Sequence, residues 1–425
     1  MFSSSRSLAF GFAFVFSASL CPANWPAWRG DAAGTGITQE TALPLKWSAT
    51  ENVKWKVPLP EAGNSTPIVW GERVFVTQAA GARRLVIAFD RKDGKLLWEA
   101  GPTYTEKEPT HKTNTLCSAS PATDGERVFA SFGSAGLFAF DFAGKELWRA
   151  DLGKVDHDWG YAISPVLHGD LCLIANGAGS NWWLAAFHKK TGKEVWRVKG
   201  PMVEATERTD GFAGTSDGMV GSWSTPVIVK AGSRDELVMT WPEKMVAYDP
   251  ATGRELWRAS GMNPLLYTSP MPGEGLVIGS GGYGGTTIAI KPGGSGDVTT
   301  SQRLWQKVRD KQRIGSGVIK DGHLYILNTP GTAQCINLAT GEQVWEERVG
   351  RGGKSQSWSS MVLSGDRVYV LNQSSDTVVL RASPKFEMLA VNSLGDGLTN
   401  SSHAISNGDI FIRTHQHLWC IGMAK

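Results

Sequence analysis

The sequence predicts an all-β fold, an eight-bladed β-propeller of four-stranded blades. Three observations support this prediction. A phrase ending in Trp recurs along the chain, a second phrase with a Gly turn precedes each copy, and 50 Gly, 20 Pro and 18 Trp occur in 425 residues. Four-stranded units repeating about every 40 to 60 residues are typical of propellers, and such a composition suits short strands joined by tight turns.

The first phrase reads as strand c, a tight turn and an outer strand d. It is AFDRKDGKLLW at 88–98, with a near-copy, AYDPATGRELW, at 247–257. Asp90 is expected to accept local backbone N–H groups and Gly94 to supply positive φ, while Trp98 packs between blades. The structural positions assigned in the other copies are Trp148, Trp196, Asp249, Gly253, Trp257, Trp305 (ending a degenerate copy), Gly341 and Trp345.

The second phrase begins with a Ser/Thr-Pro-like pair and supplies strands a and b around a Gly turn. It occurs eight times, first as STPIVWGERVFVTQ. The two ends of the chain complete the set: NVKWKV at 52–57 is an outer strand with no first half, and HLWCIG at 417–422 is a strand c with nothing after it. Pairing of these segments would close the ring and remove two exposed sheet edges.

In these phrases the chain resembles the quinoprotein-like, or PQQ-like, repeat propellers, where PQQ is pyrroloquinoline quinone. The resemblance covers nearly all of residues 45–425, and the AxDxxxGxxxW phrase is similar to that family's tryptophan-docking motif. NWPAWRGDAAGTGI resembles the N-terminal arm of exported bacterial members. The family contains PQQ-dependent dehydrogenases and non-enzymatic members, among them the BamB-type assembly factor of bacterial outer membranes, so the resemblance implies the fold and leaves both functions open.

Two departures from the dehydrogenases favour a non-catalytic member. Many of those enzymes carry two adjacent cysteines beside the quinone, and this sequence has no Cys-Cys pair. The family's calcium-bound quinone also requires a carboxylate, an amide and a catalytic Asp, and no residue here could be matched to these roles. We therefore expect no catalytic residue and no cofactor. The alternative is a PQQ- or metal-dependent oxidoreductase, of the quinoprotein dehydrogenase type with PQQ and Ca²⁺, using the central channel.

The N-terminus predicts export. Residues 1–23 read as a secretory signal, since Arg6 precedes an apolar stretch at 8–20 and small residues follow. Residues 24–44 form an N-terminal arm and 45–425 the propeller, which we expect to be periplasmic or secreted. Cys21 follows Leu20 rather than a small residue, which argues against a lipid anchor. No later stretch is long and apolar enough to predict a transmembrane segment.

Charge and cysteine content argue against several classes of partner. Lys and Arg (43) nearly balance Asp and Glu (40), so no nucleic-acid partner is expected. We also expect the protein to be a monomer. The remaining cysteines lack CxxC spacing and are expected to be small buried hydrophobes, without a zinc site or disulfide framework. They are Cys117, Cys172, Cys335 and Cys420.

Propeller geometry separates the connections into two sets on opposite faces. The a–b and c–d turns are short and uniform, whereas the d–a and b–c connections include long segments at 99–116, 150–161 and 199–221. Long variable loops on a rigid scaffold are common binding sites, so we assign function to that face. The strand a residues expected to enter the channel are Asn64, Ser118, Ala162, Trp223, Tyr267, Gly315, Trp358 and Ser401.

The candidate ligand site is the mouth of the central channel on the variable face. Aromatic residues there could stack on a sugar, a planar cofactor or a partner's side chains, or could instead cap the core against water. An Arg at the mouth would favour an anionic ligand. The candidate residues are Trp159, Trp223, Tyr267, Arg313, Trp358 and His403.

Two histidine-containing segments suggest chemistry less strongly. Asp156, His157 and Asp158 could form a general base or metal ligand, although an acidic loop of this kind also suits a solvated turn. His415 and His417 have strand spacing but no third ligand, so no metal site is predicted. The sequence thus favours an exported, non-catalytic scaffold that binds a protein or a small-molecule or carbohydrate ligand on its variable-loop face.

Overall fold

The structure, a computed structural model, describes residues 23–201, 203, 220–282, 284–350 and 356–423. The predicted secretory signal, apart from its last residue, and Cys21 lie outside the described residues. The chain forms eight sheets, each contributing four strands to one blade, and this confirms the predicted eight-bladed propeller.

The first half of the chain supplies blades 1 to 4 and two N-terminal strands. The N-terminal strands are β1 (Ile37–Thr38) and β2 (Val53–Pro58). Blade 1 contains β3 (Ile68–Trp70), β4 (Arg73–Ala80), β5 (Arg83–Asp90) and β6 (Leu96–Ala100). Blade 2 contains β7 (Ala122–Thr123), β8 (Arg127–Ser131), a 3₁₀ turn (Gly133–Ala135), β9 (Leu137–Asp141) and β10 (Glu146–Ala150). Blade 3 contains β11 (Val166–His168), β12 (Leu171–Ala178), β13 (Trp183–His188) and β14 (Glu194–Lys199). After β15 (Gly221–Ser222), blade 4 contains β16 (Val227–Ala231), β17 (Arg234–Trp241), β18 (Lys244–Tyr248) and β19 (Glu255–Ser260).

The second half supplies blades 5 to 8. After β20 (Leu265–Leu266), blade 5 contains β21 (Met271–Gly273), β22 (Leu276–Ser280) and β23 (Thr287–Ile290), followed by an inserted β24 (Gly296–Asp297) and then β25 (Arg303–Lys307). Blade 6 contains β26 (Val318–Lys320), β27 (His323–Asn328), β28 (Thr332–Asn337) and β29 (Gln343–Arg348). Blade 7 contains β30 (Val362–Ser364), β31 (Arg367–Leu371), β32 (Asp376–Arg381) and β33 (Met388–Ser393). Blade 8 contains β34 (Ala404–Ser406), β35 (Asp409–Arg413) and β36 (His417–Ile421).

The N-terminal strand β2 completes blade 8. It pairs antiparallel with β36, placing Trp55 opposite Cys420. The strand predicted to lack its first half therefore joins the strand predicted to lack its partner, and the predicted closure of the ring is confirmed.

Five of the eight junctions between neighbouring blades have a contact between a Trp and a Gly. The Trp98 Nε1 donates to the Phe142 carbonyl at 2.9 Å, in the c–d turn of the next blade. A Cβ added to Gly144, whose φ is +86°, would come within 2.7 Å of the Trp98 ring. Glycine is thus required both for positive φ and for the close approach of the indole. The same contact joins Trp148 to Gly192, Trp196 to Gly253, Trp305 to Gly341, and Trp55 to Gly94.

Among the described residues, the junctions between blades 6 and 7 and between blades 7 and 8 lack this contact, and so does the junction between blades 4 and 5. Trp257 Nε1 donates instead to the buried carboxylate of Glu236, 2.7 Å away in its own blade. The tight c–d turn is replaced in blade 5 by a longer connection, whose β24 pairs in parallel with β19 and adds a fifth strand to blade 4. In the degenerate sequence copy that ends at Trp305, the inserted β24 therefore covers the outer edge of blade 4.

The N-terminal arm crosses the channel at the end where the a–b turns lie. Trp25 pairs with Val69 of blade 1, the Pro26 carbonyl accepts the Thr123 N–H of blade 2, and the Ala32 carbonyl accepts the Ile228 N–H of blade 4. The arm then adds β1 in parallel to β30 of blade 7. Its backbone is therefore tied to blades on opposite sides of the ring.

A buried guanidinium anchors the arm. Arg29 is 1% exposed, and its side chain donates only to backbone carbonyls. Burial lowers the pKa of Arg29 to about 9, although the negative charge of Asp31 acts in the opposite direction. The acceptors are the carbonyls of Gly34, Thr35, Ser316, Gly317 and Met361.

Candidate functional site

A closed ring of Ser and Thr residues surrounds the central channel. Each blade contributes one residue, whose backbone N–H donates to the side-chain hydroxyl of the next blade at 2.8 to 3.1 Å. The last blade returns to the first, because the Ser402 N–H donates to Thr66 Oγ1 at 3.0 Å. The ring runs through Thr66, Ser120, Ser164, Thr225, Ser269, Ser316, Ser360 and Ser402.

This ring gives the Ser/Thr-Pro-like phrase a structural role. The Ser or Thr of each phrase provides both the donor and the acceptor, and the inner strand starts two positions later. A hydroxyl that accepts a backbone N–H keeps its own proton for donation. The ring therefore fixes the channel diameter and leaves the channel wall able to donate hydrogen bonds.

A cavity of about 340 Å³ occupies the channel; three predicted residues form an aromatic wall on it, and a fourth lines it separately. Trp159, Trp223 and Tyr267 form a cluster, with the Trp223 ring 5.5 Å from each of the other two. Trp223 Nε1 donates to the Gly160 carbonyl at 2.8 Å, which fixes its orientation. Trp358 also lines the cavity.

Amide and hydroxyl groups form a second, polar wall. Asn64 Nδ2 donates to the Thr113 carbonyl, and its Oδ1 lies 3.0 Å from His415 Nε2. Asn400 donates to the same carbonyl at 3.1 Å and accepts a hydrogen bond from Gln373 at 2.6 Å. These bonds hold both amides at the cavity surface.

The turn at residues 111–114 connects the two walls. Thr113 is held by the two amides of the polar wall, while Asn114 Nδ2 donates to the Trp159 carbonyl at 2.6 Å. His111 Nδ1 lies 2.7 Å from Thr113 Oγ1. The long 99–116 connection thus contributes directly to the cavity.

Trp28 contributes to the cavity from the N-terminal arm. It immediately precedes Arg29, which bonds carbonyls at and beyond the Ser/Thr ring on the a–b side. The indole therefore forms a floor opposite the variable-loop mouth.

Arg313 lies outside this cavity, which corrects its predicted position at the mouth. It is 0% exposed and donates to Asp310 Oδ2 at 2.7 Å, Thr287 Oγ1 and Gln334. The next residue, Ile314, lines the cavity instead. Adjacent residues of an extended chain point to opposite sides, so Arg313 faces the interior of the blades.

His403 requires the same correction. It follows Ser402 of the channel ring, is 0% exposed, and its Nε2 lies 2.9 Å from Thr377 Oγ1. Desolvation lowers the pKa of His403 to about 3. The neutral imidazole therefore belongs to the packing between blades 7 and 8.

The two histidine segments have structural partners. Asp156 bonds Ser180, and the His157 ring packs edge-on against Trp223 at 4.9 Å. Desolvation lowers the pKa of His157, against opposing contributions from Asp158 and Asp156. His417 Nδ1 lies 2.8 Å from Asp396. Within the described part of the chain, no group of three or more His, Cys, Asp or Glu is arranged to hold a metal ion.

The sequence identified the aromatic wall but missed the floor and the turn. Six of the eight predicted channel-entry residues line the cavity, while Ile314 and Asn400 do so in place of their neighbours Gly315 and Ser401. The alternation of strand a could have indicated Asn400. Nothing local indicated Trp28 or the 111–114 turn, because both reach the cavity through long-range contacts.

The comparisons with known proteins agree with the repeat analysis. The family model described as outer membrane protein assembly factor BamB matches residues 37–180 and 180–424. The chain belongs to this family. The predicted resemblance to PQQ-like repeat and BamB-type proteins is thereby confirmed.

Individual relatives come from both functional classes. The outer membrane protein assembly factor BamB of Burkholderia pseudomallei is 27% identical over 212 residues, covering 48% of this chain and 46% of that protein. The quinohemoprotein alcohol dehydrogenase ADH-IIG of Pseudomonas putida is 26% identical over 200 residues, covering 43% of this chain and 26% of that protein. The chain thus spans less than half the length of either relative.

Solved structures share the fold at low identity. A europium-containing methanol dehydrogenase superposes with a TM-score of 0.69 at 12% identity, covering 94% of this chain and 98% of that one. BamB from Moraxella catarrhalis gives a TM-score of 0.60 at 13% identity, covering 86% of this chain and 98% of that one. Both comparisons support the propeller architecture alone.

Two further features concern the state of the cysteines and the search for membrane-spanning helices. The four cysteines in the described part of the chain are free and buried. No helix among the described residues is long and apolar enough to cross a membrane.

Proposed function

We propose that this protein is an exported, non-catalytic binding propeller whose ligand site is the cavity at the variable-loop end of its channel. The observation that carries the proposal is the pairing of an aromatic wall with a polar wall in one concave site. Concave sites of this kind, apolar with a few oriented polar groups, are typical of small-ligand binding. Membership of the BamB family supports a non-enzymatic role, and the predicted secretory signal supports export.

The cavity lining offers little to acid–base or metal chemistry. None of its described residues is Asp, Glu, Lys, Arg or Cys. General acid–base catalysis and nucleophilic catalysis rely mainly on such groups, with His as the other common participant. His111 is present, but it bonds Thr113 within its own turn.

The second candidate is a PQQ-dependent oxidoreductase, favoured by the relatives named as quinohemoprotein alcohol dehydrogenases. PQQ carries carboxylates and is bound in that family with Ca²⁺, so its site needs cationic or carboxylate groups. The described lining supplies amides and hydroxyls without either charge. These residues do not fit the cofactor, and we derive no catalytic step through it.

The proposal can be tested by ligand screening on three forms of the protein. Wild type, Trp223→Ala/Trp358→Ala and the control Trp182→Ala would be titrated with neutral sugars, sugar acids, aromatic carboxylates and PQQ with Ca²⁺. Trp182 lies outside the cavity lining and bonds the Gly179 carbonyl, so it controls for loss of an indole elsewhere.

We expect at least one ligand class to raise the melting temperature of wild type and the control, with calorimetric saturation, and to fail on the double variant. We expect no dye-linked alcohol oxidation. PQQ binding with turnover would replace the binding role by the enzymatic one. Unchanged binding by a folded double variant would mean that the ligand site lies elsewhere. If no ligand class binds, the aromatic wall only covers the core against water and the proposal is wrong.

A further inference from the structure

The aromatic wall offers ring faces to the apolar face of a ligand. The Trp223 ring is tilted by 36° to Trp159 and by 35° to Tyr267. Trp223 is itself buried, at 9% exposure, between the partly exposed rings of Trp159 and Tyr267. Aromatic faces of this kind bind planar rings or the C–H faces of sugar rings.

The polar wall is already ordered for hydrogen bonding. The Asn64 and Asn400 amides are both fixed by the Thr113 carbonyl, and each is held on a second side by another residue. Asn400 keeps one N–H for a ligand after these bonds. Both N–H groups of Asn64 are used, on the Thr113 carbonyl and on Ser118 Oγ at 3.3 Å, so Asn64 offers a ligand only the remaining acceptor capacity of its Oδ1. Pre-ordered groups lower the entropy cost of binding a ligand that carries many hydroxyls.

The uncharged character of the described cavity lining narrows the class of ligand. No described residue lining the cavity is Asp, Glu, Lys or Arg. Against this described lining, a charged ligand would lose hydration without gaining an opposite charge, which is costly. This disfavours peptide termini, nucleotides and sugar acids, and favours a neutral ligand that combines apolar faces with hydroxyl groups.

The floor restricts how a chain molecule could enter. Trp28 closes the channel side opposite the mouth, and Arg29 fixes the arm there through backbone carbonyls of blades 6 and 7. A polymer therefore cannot pass through the ring. The cavity volume of about 340 Å³ is also near the lower limit of sites that hold small ligands, about 300 to 1,000 Å³.

We propose that the cavity binds the end of a neutral carbohydrate chain, stacked on the partly exposed rings of Trp159 and Tyr267 that Trp223 supports, and stopped by Trp28. This inference rests on the proposed binding function and specifies its ligand. Binding of a chain end can be distinguished from binding along the chain. Sugar units beyond the first few would remain outside the cavity and add little to the affinity.

The test uses oligosaccharides that differ in ends and charge. Neutral linear series of maltose, cellobiose, xylobiose and chitobiose type, each from disaccharide to hexasaccharide, would be titrated calorimetrically against wild type. The controls are α-cyclodextrin, a six-membered maltose-type ring without ends, an oligogalacturonate as the anionic chain, and an oligoglucosamine as the cationic chain.

We expect one neutral series to bind with an affinity that stops rising after the first few units. We expect cyclic and charged compounds to bind at least about tenfold more weakly, a difference of about 1.4 kcal/mol. Trp28→Ala should allow affinity to rise with further units, whereas Trp28→Phe should retain the plateau. Circular dichroism and melting temperature check folding, and the wild-type length dependence tests the inference if Trp28→Ala does not fold.

The outcomes separate this inference from the proposed function. Affinity that rises through the whole wild-type series, or equal binding of the cyclic compound, would refute binding at an end. Preference for a charged chain would refute the neutral class. If no carbohydrate binds while another ligand class still depends on Trp223 and Trp358, the inference fails and the proposed function stands. Quinone turnover, or no ligand of any class, would overturn the proposed function itself.

Discussion

The two ends of the central channel are built in different ways. At the variable-loop end, side chains from long connections meet as an aromatic wall and a polar wall, with Trp358 still partly exposed. At the opposite end, the N-terminal arm crosses on backbone hydrogen bonds and a fully buried Arg29. Between them, the Ser/Thr ring repeats one contact in every blade. The closed end is thus held by buried backbone hydrogen bonds, whereas the open end is lined by side chains of the long connections.

The largest loss of stability is expected at the closed end. Arg29→Met removes a guanidinium that donates to four buried carbonyls and one partly buried carbonyl, so the free energy of unfolding should fall by about 3 to 5 kcal/mol. Urea unfolding followed by Trp fluorescence would measure it. Arg83→Met is the control, because the exposed Arg83–Glu99 ion pair should contribute less than about 1 kcal/mol. Similar losses in the two variants would contradict the anchoring role of Arg29.

The blade junctions should show the next largest effect. Gly94→Ala forces a Cβ to within 2.8 Å of the Trp55 ring at φ +74°, whereas Gly71→Ala at φ +55° meets nothing within 4 Å. The left-handed backbone should lower the free energy of unfolding of both variants by about 1 kcal/mol. The clash should lower that of Gly94→Ala by about 2 kcal/mol more. Chemical denaturation of both proteins gives the difference directly. If the two substitutions cost the same, the indole contact does not require glycine.

Between the two ends of the channel, the buried His403 should make the free energy of unfolding depend on pH. His403 has a pKa lowered to about 3, below its unfolded value near 6.5, so protonation favours the unfolded chain. Its contribution is unchanged above pH 6.5, and stability falls as the pH drops from 6.5 towards 3, by about 2 kcal/mol at pH 5. Unfolding at pH 7.5 and 5.0 should show a smaller difference for His403→Gln than for wild type. An equal difference would mean that other groups cause the acid sensitivity.

The smallest effect on stability is expected at the open end. Trp358 is partly exposed, and its Nε1 has no hydrogen-bond partner among the described residues. Trp358→Phe should therefore change the free energy of unfolding by less than about 1 kcal/mol while weakening ligand binding. Denaturation and ligand titration on the same preparation would separate the two. A loss approaching that of Arg29→Met would instead support a core-capping role for this side chain.

The fold was predictable because its information is local and repeated. The phrase around Asp90, Gly94 and Trp98 carries a turn and a packing residue within a few positions, and eight approximate copies fix the number of blades. Strand segments that lacked a partner at the two ends of the chain predicted the pairing of β2 with β36. The aromatic wall was predictable in part, since Trp223 and Tyr267 occupy equivalent places in neighbouring repeats.

The rest depended on contacts between segments far apart in the chain. Arg313 and His403 were assigned to the mouth by position, but the alternation of an extended backbone turns both away from the channel. Trp28 reaches the cavity because the arm crosses the closed ring, which exists only after blades 1 and 8 have joined. The sequence by itself determined the repeating unit, because turns and strand alternation are local. Only the tertiary structure decided which unrepeated side chains share the channel, because the ring brings together residues hundreds of positions apart, as when Asn400 bonds Thr113.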